Sequence, residues 1–294
     1  MPSQPSMPAY PATPPGWSVV GSRSVARFTT HVTYRTPAGE LRDWSSRRHR
    51  KHASRVSRVR TGSDRVLWAP HRASWWIAVL FAVGSLCFLV GPLPAFLDLV
   101  GPQADGAVFF VGSLFFTSAA LLQWVETVNA DRAPDGGRLV RLRLVSWEPA
   151  RVDWWSSGAQ LVGTLFFNAT TFRALWDAIG SPSYDRLVWR PDLLGSVCFL
   201  VSGYLAYVEV TGGLLDRPPR GLEGGIVTVN LLGCVAFGVS ALAAYVVPGS
   251  EQALDTTVAN ATTSLGALGF LVGALLLLPE GARPRQDAVL SPAR

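Results

Sequence analysis

The stretch Gly84-Ser85-Leu86-Cys87-Phe88 returns five more times along the chain. The other copies are Gly112-Ser113-Leu114-Phe115-Phe116, Gly163-Thr164-Leu165-Phe166-Phe167, Gly195-Ser196-Val197-Cys198-Phe199, Gly233-Cys234-Val235-Ala236-Phe237 and Gly266-Ala267-Leu268-Gly269-Phe270. Each lies inside an apolar run, at 74–97, 107–129, 154–175, 192–213, 225–247 and 260–279. Each run approaches the ~20 residues that cross ~30 Å of hydrocarbon as a helix. The segments between them are short and hold Pro, Gly and charge. The expected fold class is therefore all-α: a polytopic membrane protein of six helices in three tandem hairpins, 74–130, 154–213 and 225–280, each an internal repeat of one unit. Hairpins of the same sense can surround an axis along the membrane normal, so a compact threefold arrangement is expected.

The recurrence continues along each helix. Seven residues after each Gly stand Gly91, Ala119, Thr170, Ser202, Ser240 and Gly273, and eleven after stand Ala95, Gln123, Ala174, Ala206, Ala244 and Leu277. Steps of four, three and four residues keep one helical face. Between lipid-embedded helices, small residues allow close backbone approach and van der Waals contact supplies the attraction. The Gly–Phe–small stripe is thus expected to be the packing face, with Phe filling the gap beside each Gly.

A second pattern precedes the odd runs. Trp68, Pro70, Arg72, Trp75 and Trp76 match Trp147, Pro149, Arg151, Trp154 and Trp155 at an offset of 79 residues, the same offset that separates Gly84 from Gly163. Trp and Arg suit the headgroup boundary, so these eight Trp and Arg residues are expected to be membrane-interface anchors. The fifth run keeps only Pro219 and the nearby Arg220.

Composition bounds the rest. The chain has 294 residues, 16% of them charged, against about 25% in soluble domains. Residues 1–16 read as a disordered Pro-rich tail. In 17–73, the alternation of Val25, Phe28, Val32 and Tyr34, then a turn at Pro37-Ala38-Gly39 and a return through Leu41 to Trp44, is compatible with a small hairpin lacking a core of its own. The basic run Arg47-Arg48-His49-Arg50-Lys51-His52, with Arg55, Arg58 and Arg60, is expected to lie on anionic lipid headgroups; a nucleic-acid partner is not expected. With the N-terminus inside, 23 Lys and Arg fall on the inner side against Arg173, Arg186 and Arg190 outside. The positive-inside rule then places both termini, including the 281–294 tail, in the cytoplasm. Arg used 25 times against one Lys points to a bacterial coding bias, hence a bacterial plasma membrane. No cleavable signal peptide is expected, because the first apolar run starts some 70 residues in.

Polar residues on the packing stripe form the candidate site. Fourteen residues after the Gly, the even runs carry Glu126, Glu209 and Glu280; Gln123 lies one turn from Glu126, and Gln160 and Asn230 stand three residues before their Gly. All fall in the inner half of the membrane. A structural role would pair Glu126 and Glu209 with Arg72 or Arg151, or with Gln160 and Asn230, leaving Glu280 facing water. A functional role would make Glu126, Glu209, Gln123, Gln160 and Asn230 a proton, ion or small-ligand site. No catalytic residues, metal ligands or cofactor motifs are found: the four His precede the first run, and Cys87, Cys198 and Cys234 form no C-x-x-C pair.

The G-S-x-x-F sequence in both arms, as in Gly84 to Phe88 and Gly112 to Phe116, resembles the YrhK-like domain of bacterial membrane proteins. From Trp68 to Glu280 the chain is similar to uncharacterised actinobacterial integral membrane proteins with three such hairpins fused. The resemblance implies helical hairpins and carries over no activity and no site residues. The expected function is a non-enzymatic membrane scaffold or sensor; the alternative is a small transporter or channel, and a membrane-embedded enzyme stands third.

Overall fold

The computed structural model describes residues 11, 13–47, 50, 68–70, 72–130, 142–176, 181, 183–247, 252–282 and 289–290. Most of the Pro-rich tail, most of the basic run and most of the C-terminal tail lie outside the described residues. The structure is mostly helical, consistent with an all-α membrane protein, and a small sheet precedes the helices where the small hairpin was expected. Strands β1 (Ser18–Val25), β2 (Phe28–Arg35) and β3 (Leu41–Ser45) form an antiparallel meander, and β4 (Val289–Leu290) from the opposite end of the chain pairs with Leu41 and Arg42. Period-two alternation turns Thr30, Val32 and Tyr34 to one face. Val32, Tyr34 and Trp44 form a cluster there, with Trp17 packed against it and Val32 directly opposite Trp44. Gly39, at φ +83°, makes the β2–β3 turn. The segment thus has a core of its own, small as it is.

From residue 73 on, the described residues form the helices α1 (Ala73–Val90), α2 (Pro94–Val100), α3 (Pro102–Val128), α4 (Val152–Ala174), α5 (Arg190–Thr211), α6 (Leu222–Ala243) and α7 (Thr256–Ala282). One π-helical turn, Asp185–Trp189, leads into α5. The first apolar run, expected to continue to residue 97, stops as a helix at Val90. Pro92 and Pro94 lack the amide hydrogens a continuing helix needs, and Pro94 instead opens the short helix α2.

Among the described residues, five helices are long and apolar enough to cross a membrane: α1, α3, α5 with its leading turn, α6 and α7. The expectation of six is met for five. Helix α4 has 23 residues but carries Asp153, Ser156, Ser157, Gln160, Asn168, Thr170, Thr171 and Arg173. Most of these groups are hidden and hydrogen-bonded. Ser157 and Thr171 donate to Asp153 and Phe167 carbonyls in their own helix, while Ser156 and Thr170 donate to Ser202 and Val188 carbonyls across to the next. Composition counts these groups as polar although few of them are exposed.

The six long helices close into a ring in the order α1, α3, α4, α5, α6, α7 and back to α1. Glycines set the close crossings. A β-carbon added to Gly84 would lie 3.0 Å from the Gly112 carbonyl oxygen; Gly195 stands in the same relation to Gly163 at 3.2 Å, and Gly233 to Gly266 at 3.0 Å. Each Gly also faces the Phe of the opposite arm: Gly84 meets Phe116 and Gly112 meets Phe88, Gly163 meets Phe199 and Gly195 meets Phe167, Gly233 meets Phe270 and Gly266 meets Phe237.

Buried phenylalanines fill the centre: six, one from each long helix, form two triangles, and Phe81 packs on Phe116. Phe88, Phe167 and Phe237 form one triangle, with ring centroids 5.9 to 6.4 Å apart. Phe116, Phe199 and Phe270 form a second, at 5.7 to 6.5 Å. The triangles are stitched by the in-hairpin pairs 88–116, 167–199 and 237–270. Hydroxyls tie the seams between hairpins: Ser113 with Thr171, Ser196 to the Phe237 carbonyl and Ser264 to the Leu89 carbonyl. The notched faces therefore meet one another, and the bulky apolar residues Leu86, Leu114, Leu165, Val197, Val235 and Leu268 point outward.

Candidate functional site

The helices α3, α5 and α7 all run toward the end of the ring that carries the sheet. Fourteen residues is nearly four helical turns, so a Glu fourteen residues beyond each Gly crossing reaches the same height on nearly the same face. Glu126, Glu209 and Glu280 converge there. The Glu209 carboxylate accepts from the Ser46 hydroxyl at 2.7 Å and from Arg50 Nη2 at 3.3 Å. Glu280 accepts from Arg47, Nε and Nη2, at 3.2 and 3.4 Å. Glu126 is buried within electrostatic reach of Arg50.

A second buried group adjoins them. The Arg151 guanidinium, 2% exposed, donates to Asp153 through Nε and Nη2, to Glu148 at 2.6 Å and to the Thr127 carbonyl at 2.9 Å. Arg50 Nη1 lies 3.6 Å from Asp153, which is fully buried. Burial works to lower the Arg50 pKa, but the carboxylates of Glu209, Asp153 and Glu126 outweigh it and raise it above the ordinary arginine value. The guanidinium is therefore a fixed positive charge in the mouth of the ring.

Several expectations change. Arg47 and Arg50 are not on lipid headgroups; they are buried against the bundle, three residues apart in the chain. The rest of the basic run lies outside the described residues. Glu280 is withdrawn from water, with 8% of its side chain exposed. Arg151 does not reach lipid phosphate, because three hydrogen-bond acceptors within the protein hold it.

The tryptophans keep exposed surface. Trp68, Trp76, Trp147 and Trp155 are exposed and Trp75 and Trp154 half-buried. The two motifs share one local geometry. Trp76 donates to the Pro70 carbonyl at 2.9 Å and Trp155 to the Pro149 carbonyl at 3.1 Å, with Trp68–Trp75 and Trp147–Trp154 both 5.2 Å apart at steep angles. Arg72, half-buried, and Arg151 are the N-cap residues of α1 and α4.

Gln123 and Gln160 meet across α3 and α4 at 3.1 Å. Asn230 is on the α6–α7 seam, its side chain against Gly273. Sequence reasoning missed Ser46, Arg47, Arg50, Glu148 and Asp153. A signal for the last two was present: Glu148 and Asp153 flank Arg151 where the first motif has Ala69 and Ser74 around Arg72.

Chemically, this arrangement is a set of buried charge pairs holding one segment of the chain to another; Arg50 Nε makes no hydrogen bond within it. Above it, the void lined by Phe88, Ser113, Phe116, Phe167, Phe199 and Phe237 has a volume of about 10 Å³, at the lower limit for a single water. Among the described residues no group of three or more His, Cys, Asp or Glu is placed to hold a metal ion. No family model matches this chain, and neither a curated protein nor a solved structure does.

Proposed function

We propose that this chain is a six-span plasma-membrane protein that acts as a non-enzymatic scaffold or sensor, its N-terminal sheet docked on the cytoplasmic end of the ring. Arg50 seated between Glu209 and Asp153 carries this reading: the intramembrane-edge carboxylates hold a cap instead of facing an open path. The aromatic centre supports it, since two stacked Phe triangles leave no room for a hydrated ion.

The finer organisation belongs to the same proposal. Three copies of one hairpin account for the recurring Gly–Phe crossings and the twice-built Trp–Pro hook, and α4 counts as a sixth span because its polar groups are spent inside the protein. The hairpins resemble YrhK-like domains. The 23-to-3 division of Lys and Arg supports a cytoplasmic position for both termini, and the pairing of β4 with β3 agrees with termini on one side. The exposed Trp rings would then sit at the inner headgroup layer of a bacterial membrane.

The transporter reading draws on Glu126, Glu209 and the Gln123–Gln160 pair at the mouth. Proteoliposome flux assays with protons, alkali cations and small polar solutes decide between the two. The scaffold reading expects no flux above empty vesicles, and Glu126→Gln with Glu209→Gln altering stability alone. Flux abolished by those two substitutions would establish transport instead.

A further inference from the structure

The sheet and the ring have separate cores. Val32, Tyr34 and Trp44 make one cluster, the six phenylalanines and their neighbours make another, and no residue belongs to both. Strand β2 lies against α4, and ion pairs and a hydroxyl hydrogen bond tie the two units together. Ser46 and Arg50 meet Glu209, Arg50 meets Asp153 and Arg47 meets Glu280. The Arg27 guanidinium lies 5.9 Å from the Trp155 ring centre, and the Arg23 stem lies against Gly212. Polar interfaces between separately packed units permit relative motion, whereas large apolar ones do not.

The electrostatics put this junction near balance. Removing two guanidinium groups and three carboxylates from water costs nearly as much as their attraction returns, so a buried ion pair adds little net stability. Deleting one partner is different, because it strands a buried charge. A junction of this kind holds while all its charges are present and opens when one is lost.

We infer that residues 17–50 form a detachable cap over the ring, latched by Arg47 on Glu280 and Arg50 on Glu209, and that its release uncovers an acidic mouth. Glu126, Glu148, Asp153, Glu209 and Glu280 converge at that mouth. Losing Arg47 and Arg50 strips two positive charges from these five carboxylates.

The Arg47–Glu280 pair provides the test, since exchanging its charges keeps the attraction. Full-length protein in nanodiscs would carry spin labels at Ala38→Cys, in the β2–β3 turn, and Arg217→Cys, in the loop after α5, with Cys87, Cys198 and Cys234 replaced by alanine. Electron–electron distance measurements then report the cap position, with helical circular dichroism and elution volume reporting the bundle.

One narrow distance is expected for the parent. Arg47→Glu and Glu280→Arg should each raise the released, broadly distributed fraction about 100-fold at unchanged helicity, the change expected from breaking a buried pair. The double exchange should restore the narrow distance. A single variant that stays folded and keeps the parent distance overturns the latch, as does a double exchange that fails to restore it. Singles that lose the helical bundle also overturn it, because the cap would then be integral to the fold. Flux and cap release are separate measurements, so failure of one leaves the other standing.

Discussion

Gly112 and Cys87 approach so closely across the first hairpin that a β-carbon on Gly112 would lie 2.6 Å from Cys87 Cβ. Neither helix can yield there without moving the Phe88–Phe116 pair beside the crossing. Gly112→Ala is therefore expected to destabilise the protein by about 2 kcal/mol, as overpacking typically does, despite the gain in helix propensity. Gly225, also in a membrane helix, is the control: its added carbon would find nothing nearer than Leu276 Cδ1 at 4.0 Å. Gly225→Ala should be neutral or stabilising by up to about 1 kcal/mol. Reversible unfolding in mixed micelles measures both. Equal losses in the two variants would mean that close packing at the Gly crossings does not hold the hairpins.

Phe167 touches Phe88, Phe199 and Phe237, and its ring centre is 4.9 Å from that of Phe199. Phe167→Ala should cost about 3 kcal/mol, mostly through the cavity it leaves. Phe172, on the same helix one turn and a residue further, is 45% exposed; Phe172→Ala should cost under about 1 kcal/mol. The same micelle titration gives the comparison. A larger loss at Phe172 would place the load-carrying aromatic contacts at the helix ends instead of the centre.

The ring was legible because the forces that build it leave a one-dimensional trace. A helix crossing close to another needs a small residue at a fixed register, and the Gly, Phe and small positions stand at spacings of four and three. The hook of Trp76 on Pro70 was legible as a pattern but not as a geometry: the sequence shows which residues recur, not that the indole reaches a carbonyl six residues back. The span count came out differently because hydropathy weighs α4's hydroxyls and amides without knowing that Ser156, Thr170 and Gln160 are bonded to neighbours. The partners of Glu209 and Glu280 were illegible for another reason. Arg50 and Arg47 come from 159 and 233 residues away, and no periodicity links a basic run to a particular acid on a helix end. The same run next to a membrane reads equally well as a headgroup contact, and only the folded chain brings two of its members under the ring.

Gln123 and Gln160 make a single amide–amide hydrogen bond between α3 and α4. Such bonds in membrane bundles couple by about 0.6 kcal/mol on average. A double-mutant cycle with Gln123→Leu and Gln160→Leu should return a coupling of that size, with the double variant close to the parent in stability because both polar groups leave together. A coupling above about 2 kcal/mol would mark the pair as part of a larger polar network and revive its candidacy as a ligand site.

Tyr34 supplies a pH-dependent prediction away from the membrane. Its side chain is buried against Trp17 and Trp44, its hydroxyl has no hydrogen-bond partner, and burial pushes its pKa from 10.0 up to about 12. The folded sheet thus favours the neutral phenol, whereas the unfolded chain ionises at the ordinary value. A folded pKa above the unfolded one means that the contribution to stability is complete below pH 10 and is lost as pH rises through about 12. The sheet should therefore loosen across that window, before arginine titrates. Tyr34→Phe removes the ionisation and the unpartnered hydroxyl together. It should flatten the alkaline profile and raise the stability of the sheet at neutral pH by about 1 kcal/mol, the usual cost of an unsatisfied buried polar group. Amide exchange in β2 and β3, followed from pH 8 to the alkaline limit by quenching, reads both effects. If the variant loses protection over the same range as the parent, the phenol is not the group that titrates, and the sheet opens for a reason outside its own core.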